Sequence, residues 1–372
     1  MPARDVWDLV VVGGGPAGLA TAIVAAERGL SVAVIERRDF PADKACGEGI
    51  LPPGVKALAR LGIAGRFDCT NSFPFAGIRF IQEEGSSAES RLPTKGLGIR
   101  RTVLVQALAH RAEELGAVLR HRCSVYNVET KPHEAVIHTS EGEVRGRLVV
   151  AADGLHSSLR KASGLEAAAS RRRRFALRQH YQLRPWTDFV EVYVDETGEA
   201  VMTPVSNRSV NVSFAWEDGA TERPTISTLA ARFPLLAARL SGARSISSVM
   251  GAGPMARGAT RRNGNRMVLV GDAAGFVDSI SGEGLSIAFN SALILGEHLD
   301  EILKCGATRE SMQAYEREAR RLYRGYWFVT NGLMLIARHT RVRRKIINAL
   351  TKHPAIFRAL MAGAMQMIVS AV

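Results

Sequence analysis

Residues 8–36 read DLVVVGGGPAGLATAIVAAERGLSVAVIE, and this stretch decides the fold. Asp8 to Val12 is a short apolar run rich in β-branched residues, the pattern of a buried strand. The turn Gly13-Gly14-Gly15-Pro16-Ala17-Gly18 follows, then an alanine-rich helical stretch that Gly29 ends. Ser31 to Ile35 reads as a second strand with Glu36 at its end. Gly13-x-Gly15-x-x-Gly18 has dinucleotide spacing: the first glycine permits a tight turn, the second lets backbone approach a pyrophosphate, and the third lets helix and strand pack closely. A helix N-terminus offers free N–H groups and positive dipole to phosphates. Glu36, eighteen residues after Gly18, suits the ribose hydroxyls of an adenosine and disfavours a 2′-phosphate on the tightly bound nucleotide.

Outward from that unit, residues 97–116 read as a basic loop and then a helix, with Leu104 and Leu108 four apart. Residues 118–128 and 134–139 read as strands, and 147–152 (RLVVAA) as another buried strand ending at Asp153-Gly154. The pattern changes after residue 166: segments 178–183, 189–195, 199–205 and 209–216 are strand-like in succession, and 75–82 can join them. The last alternates Val210, Val212, Phe214 and Trp216 on one face with Asn211, Ser213 and Ala215 on the other, an antiparallel strand with one packed and one available face. Residues 266–270 (RMVLV) return to the buried-strand type, followed by Gly271-Asp272 and an amphipathic helix over 286–303. Residues 311–372 read as helical.

The expected fold is α/β: a Rossmann-like domain of the glutathione reductase type over 1–72, 97–165 and 256–330, interleaved with an antiparallel substrate sheet over 73–96 and 166–255, with C-terminal helices over 331–372.

The composition, 46% hydrophobic and 23% charged, excludes a disordered, collagenous or coiled-coil chain. Cys46, Cys69, Cys123 and Cys305 are too few and too far apart for a disulfide framework, and no Cys-x-x-Cys suggests zinc, so no metal is expected and a reducing cytosol fits. The net charge of +13 raises nucleic acid as a partner. Its location argues otherwise: nine Lys or Arg and no acid lie from Arg321 onward, and a second run, Arg171 to Arg174, stands between organised segments without any nucleic-acid motif. The longest apolar candidate, 359–372, is too short to span a bilayer.

Three separated motifs give the resemblance to a family. VVVGGGPAGLATA (10–22), AADGLHSSLRKASGL (151–165) and VLVGDAAGFVDSISGEGLSIAFNSA (268–292) together resemble the FAD-dependent group that contains the aromatic-ring hydroxylases (group A flavoprotein monooxygenases) and the geranylgeranyl reductases. The resemblance implies FAD as the bound cofactor and NAD(P)H as a transient reductant, since no second glycine fingerprint provides a nicotinamide domain. It places Gly13, Gly15, Pro16, Ala17, Gly18, Glu36, Arg37 and Val125 around the nucleotide. Gly271 and Asp272 fall at the ribityl chain, and Asp153 and Gly154, with Arg160, near the flavin and the nicotinamide route. Arg101 resembles the FAD-contacting arginine of the family's third helix, with Arg100 as its rival by one residue.

Gly282-Glu283-Gly284-Leu285 is expected to start a helix pointing at the flavin, with Glu283 read as a helix-start acid ahead of a catalytic one. Lys44-Ala45-Cys46-Gly47-Glu48-Gly49 resembles the Lys-x-Cys-Gly-x-Gly stretch of the geranylgeranyl reductase branch. Cys46, Gly47, Gly282, Glu283 and Gly284 are therefore the flavin-proximal catalytic candidates, although a lone cysteine is usually a packing residue. Arg178, His180 and Tyr181 are weaker acid–base candidates on a strand.

Two features depart from the family. The aromatic Tyr-x-Trp-x-Phe-Pro pattern of geranylgeranyl reductases aligns loosely with Glu199-Ala200-Val201-Met202-Thr203-Pro204, which keeps the proline and no aromatic. The tryptophan-bearing lysine motif of the halogenases is absent, which disfavours halogenation. The resemblance thus implies first a monooxygenase that hydroxylates an apolar aromatic or polyketide-like small molecule through a flavin C4a-hydroperoxide. Second comes a C=C reductase of isoprenoid chains, and third a non-catalytic FAD-binding redox or membrane module. A cytoplasmic monomer or homodimer is expected. Peripheral membrane contact through the basic C-terminal helices is weighed against simple packing of those helices on the FAD domain.

Overall fold

The computed structural model describes residues 6–168, 170, 173–218 and 224–369. Its first sheet grows from the stretch quoted above. Strand β1 (Trp7–Val12) pairs in parallel with β2 (Val32–Ile35), with Leu9 opposite Val32 and Val12 opposite Ile35. Helix α1 (Pro16–Ala26) is the crossover, and all of its residues are buried. A strand covered on both faces needs apolar residues throughout, which is why these runs do not alternate.

Later strands of the chain are introduced here in order. They are β3 (Gly49–Ile50), β4 (Ser72–Gln82), β5 (Ser87–Ile99), β6 (Val118–Arg120), β7 (Val125–Thr130), β8 (Ala135–Thr139), β9 (Gly142–Ala151), β10 (Arg174–Gln182), β11 (Phe189–Val194), β12 (Gly198–Ser206) and β13 (Ser209–Glu217). The strand Met267–Leu269, β9, β1, β2 and β6 form a run of parallel neighbours, with the β7–β8 hairpin antiparallel on β9. Residues 118–128 are two strands rather than one, because Arg122 takes a left-handed φ of 57° between them. Each buried Val or Leu of this sheet contributes about 1.5–3 kcal/mol.

The second sheet runs β10-β13-β12-β11-β4-β5-β3. It is not wholly antiparallel: β11 lies parallel to β4, with Phe189 opposite Gly77. Hairpin neighbours must be antiparallel, but β4 and β11 belong to excursions separated by much of the first sheet, and such a crossover permits parallel pairing. The expected basic loop before the third helix is instead the end of β5, which continues to Ile99. Both faces of β13 are covered. Val210, Val212 and Phe214 pack with Leu229, Phe233 and Leu236 of the short helices α5 (Ile226–Ala230) and α6 (Pro234–Leu240). Ser213 and Ala215, on the other face, line a cavity.

Helices α2 (Pro52–Arg60), α3 (Arg101–Glu114) and α4 (Ser158–Ala162) precede α5, and α7 (Gly284–Lys304) follows α6. The sequence reads α7 as amphipathic, yet every residue from Leu285 to Gly296 is buried. It threads between α1, α2 and the next helix, and a Cβ on Gly296 would lie 2.0 Å from Val24. The tail is α8 (Gln313–Arg338), α9 (Thr340–Lys352) and α10 (Pro354–Val369), interrupted at His339 and His353. Among the described residues, no helix is long and apolar enough to cross a membrane.

Candidate active site

The glycine turn is shaped as the spacing requires. Gly13 has φ 111°, and a Cβ there would stand 2.4 Å from the Ala152 carbonyl oxygen. A Cβ on Gly18 would stand 1.9 Å from the Gly13 carbonyl oxygen, so helix and strand touch through it. Gly15, the N-cap of α1, faces open space: the nearest atom to its Cβ position is Arg101 Nη2 at 3.4 Å. Glu36 Oε2 accepts the Gly14 N–H at 2.8 Å, and its Oε1 accepts the Arg38 N–H at 3.0 Å. The carboxylate is thereby held beside the turn.

A cavity of about 1150 Å³ begins here. Gly13, Gly15, Pro16, Ala17, Glu36, Arg37, Cys46, Gly47, Arg101, Val125, Asp153, Gly154, Asp272, Gly282, Glu283, Gly284 and Leu285 all line it. Gly18 and Gly271 do not. Gly18 serves the strand–helix contact, and Gly271, at φ 57°, abuts Ala17, whose Cβ would lie 2.6 Å from one placed on it. Of the two rival arginines, Arg101, the first residue of α3, lines the cavity and faces Gly15, whereas Arg100 does not line it.

The Asp-Gly and Gly-Asp segments are tied together by Arg160, which is fully buried rather than solvated. Its Nη1 donates to the carbonyls of Asp272 (3.3 Å) and Ala273 (3.0 Å), and its Nη2 to Leu155 (2.9 Å). The Asp153 carboxylate is occupied locally, accepting from Ser157 Oγ (2.5 Å) and the Leu159 N–H (3.2 Å) at the start of α4. Asp272 keeps its carboxylate at the cavity, with Lys44 Nζ 3.9 Å away. Burial pushes the Lys44 ammonium below its ordinary range, Asp272 opposes this, and Arg101 adds to it.

Helix α8 holds the same loop from behind. Tyr315, Tyr323 and Tyr326 donate to the carbonyls of Leu269 (2.6 Å), Gly271 (2.8 Å) and Asp278 (3.0 Å), and the Thr330 and Ser281 hydroxyls meet at 3.1 Å. These four lie on one helix face.

The sequence reading names Arg178 and His180 but misses the roles of Glu48, Asp43 and Asn211 beside them. Glu48, in the left-handed region at φ 60° and buried, accepts the Arg101 N–H at 2.9 Å and meets His180 Nε2 at 2.6 Å. Arg178 approaches His180 Nδ1 at 3.3 Å and is paired with Asp43, while Asn211 Nδ2 donates to the Cys46 carbonyl at 2.9 Å. Strands β10 and β13 thus pin the 43–48 loop to the second sheet. Tyr181 faces the other way, into the packing beneath α5 and α6. Replacing His180 with Ala leaves the buried Glu48 Oε2 without its partner, the Arg101 N–H remaining on Oε1; the expected cost is about 3–5 kcal/mol, read by thermal melts, with His180→Gln recovering part of it. An unchanged melting temperature in His180→Ala would remove the pair from the fold's support.

Arg174, which ends the basic run between the two organised segments, is buried. It binds Glu199 (2.5 Å) and Asp278 (3.1 Å). Arg171 and Arg172 lie outside the described residues. Two acids share one guanidinium, so burial, opposed by Arg174 and reinforced by Asp278, pushes Glu199 up to about 7, and burial raises Asp278 too. Glu283 is 3% exposed, and burial pushes it up to about 7 against a weaker lowering from Ser286. Its Oε2 has no hydrogen-bond partner among the described residues. Burial also raises the Cys46 thiol, Arg101 being the main opposing charge, and keeps it a neutral thiol. The signal that could have found Glu48 was its place in the Lys-x-Cys-Gly-x-Gly stretch; nothing local marks Arg174 or Asp278 as partners.

A βαβ unit with a glycine cradle, a ribose-length acid and a second glycine–acid loop facing one cavity defines a dinucleotide-binding flavoprotein. Residues 7–326 match the family model described as FAD binding domain, and the chain belongs to that family. It is an FAD-dependent oxidoreductase of the superfamily that holds group A monooxygenases and geranylgeranyl reductases. It is 29% identical over 317 residues to the menaquinone reductase of Mycolicibacterium smegmatis, covering 78% of this chain and 75% of that one. It is 25% identical over 352 residues to the digeranylgeranylglycerophospholipid reductase of Methanosarcina acetivorans, covering 88% and 82%. The solved structure of p-nitrophenol 4-monooxygenase PnpA from Pseudomonas putida superposes with a TM-score of 0.84 at 18% identity, covering 98% of this chain and 99% of that one.

The residues present fit FAD, because the missing Cβ atoms at Gly13 and Gly18 let turn, strand and helix close up, and Gly15 leaves the space a pyrophosphate needs. Released flavin is expected to be FAD and not FMN, by chromatography. Asp272→Ala is expected to lower flavin retention about tenfold or more, as loss of charged hydrogen-bond acceptors implies, and Cys46→Ala much less. Equal retention in the two variants removes Asp272 from the flavin site.

Proposed function

We propose that the enzyme reduces carbon–carbon double bonds in the isoprenoid chain of a lipid, with NAD(P)H as the reductant. One observation carries this reading. The cavity runs on from the glycine turn, past Gly282–Leu285, between Ile78, Val192 and Val201 of the second sheet and Leu333, Leu350 and Met361 of the C-terminal helices. An apolar passage with walls from so many elements suits a chain better than a compact ring. Where geranylgeranyl reductases carry aromatics, this chain has Val201 and Thr203, both at the cavity wall, which leaves it wider. Relatives named as reductases of menaquinone and of a digeranylgeranyl lipid support the same substrate class.

When bound, reduced FAD supplies a hydride equivalent to one alkene carbon; the other carbon needs a proton. Glu283 is the residue suited to give it. Its buried carboxyl holds a proton near neutrality, at the N-terminus of α7 and on the cavity wall. Lys44 and Arg101 place positive charge beside the Gly13–Gly15 turn and Asp272, where a pyrophosphate and ribityl chain would lie. The apolar walls exclude water from the reacting carbons.

The test is anaerobic incubation of the FAD-loaded enzyme with NAD(P)H and menaquinone, or with a digeranylgeranyl glycerol lipid, followed by mass spectrometry. A gain of two hydrogens per reduced double bond, one that survives reoxidation of any quinol to the quinone, is expected. No gain without oxygen, together with oxygen-dependent insertion of an oxygen atom into an apolar aromatic, would replace it with the hydroxylase reading that the sequence ranks first.

A further inference from the structure

We propose that the C-terminal helices dock the enzyme on an anionic lipid bilayer and that the cavity opens into the membrane through them. The inference rests on the lipid-chain reading above and adds the partner. Most helices of this size expose polar residues, but α10 (PAIFRALMAGAMQMIV) carries a single charge and is apolar nearly all round. Phe357, Met365 and Ile368 are buried, while Ile356, Leu360 and Met367 are 53%, 58% and 53% exposed. The latter three recur at four and seven residues, one stripe on the solvent side.

Helix α8 repeats the arrangement. Its hydroxyl face grips the 269–281 loop, and about half a turn away Phe328 and Leu335 are 64% and 60% exposed, with Trp327 beside them at 57%. Phe328, Leu360 and Met367 are also cavity-lining residues, so the exposed apolar surface and the mouth of the cavity are one place. A Cβ on Gly325 would lie 2.3 Å from the Met367 carbonyl oxygen, so α8 and α10 meet closely beside that mouth.

Charge selects the occupant. Of the nine basic residues from Arg321 onward, seven are exposed; the segment itself contains no acid, and of those seven Arg344 is paired with Glu83 and Glu84. Arg341, Lys345, Lys352 and Arg358 make no ion pair among the described residues. A second copy of the chain docked here about a two-fold axis would set cation against cation. A bilayer carrying anionic headgroups over an apolar interior complements both parts of the surface.

The test is flotation of the full-length, FAD-loaded enzyme with phosphatidylglycerol or phosphatidylcholine vesicles at low and high salt. Binding to phosphatidylglycerol at low salt, lost at high salt, is expected. The Trp327 indole should shift its emission to the blue on binding, and Trp327→Phe should abolish most of that shift. Arg341→Ala with Lys345→Ala is expected to weaken binding about 25-fold, roughly fivefold for each cation near the surface, while the bound-flavin spectrum reports an intact fold. No binding at low salt, equal binding to both lipids, or a dimer that buries Trp327 and persists with vesicles each overturns the proposal. Because no turnover is measured, vesicle binding without double-bond reduction sinks the substrate reading alone.

Discussion

Glu283→Gln is expected to retain FAD and to lose turnover by about 10²–10⁴-fold, the contribution of a positioned general acid. The sign of the pH dependence follows from the environment of the group. Burial raises the Glu283 carboxyl to about 7, so the protonated form that can donate is lost as pH rises through neutrality, and activity should fall with it. Stability follows the same direction. A carboxyl raised above its unfolded value favours the fold fully below about pH 4.5 and loses that contribution as pH climbs to about 7. The wild type should therefore lose about 3 kcal/mol from this group between pH 5 and pH 8, and Glu283→Gln should lose correspondingly less. Chemical denaturation at the two pH values reads the difference. A turnover limb near pH 7 that persists unchanged in Glu283→Gln would shift the role to Glu199, the other buried acid raised to about 7.

Two glycines a helical turn apart should fail in different ways. Gly15→Ala adds a Cβ whose nearest neighbour is the end of the flexible Arg101 side chain, 3.4 Å away, so the flavin-free protein should melt as the wild type does. FAD affinity should nonetheless fall by about 100-fold or more, because the methyl enters the space of a pyrophosphate approaching the backbone. Gly18→Ala instead puts a Cβ 1.9 Å from the Gly13 carbonyl oxygen, an atom of the backbone that cannot step aside. Overpacking of that kind costs about 1–3 kcal/mol or more, and the flavin-free protein itself should melt earlier. Full flavin retention in Gly15→Ala would move the cofactor away from this turn. Differential scanning with and without added FAD separates the two behaviours.

The proposed membrane face and the proposed acid at Glu283 bear on one question, how an apolar chain would meet a hydride and a proton away from water. A cavity that opens beside exposed Phe328 and Leu360 and runs on to Glu283 offers one path for both.

What could be read from residue order alone was whatever is built from neighbours in the chain. The β1–α1–β2 unit, the left-handed Gly13 and Glu36 beside the turn all follow from strand and helix periodicity and from the sterics of a missing Cβ, and these act over a few residues. The strand before Gly271-Asp272 was legible for the same reason, and the resemblance to the family put a helix start within Gly282–Leu285, where α7 begins at Gly284. Tertiary structure decided the rest. The sequence sets Arg160 near the flavin and Arg174 in a basic run, but it names a partner for neither. They are buried because carbonyls of residues 272 and 273, and the carboxylates of Glu199 and Asp278, come to them from distant segments. The parallel pairing of β4 with β11, the Glu48–His180 contact across 132 positions and the burial of α7 on every side from Leu285 to Gly296 have the same origin. Hydrogen bonding and desolvation depend on which atoms share a small volume, and for residues brought together by a crossover no local pattern records the partner.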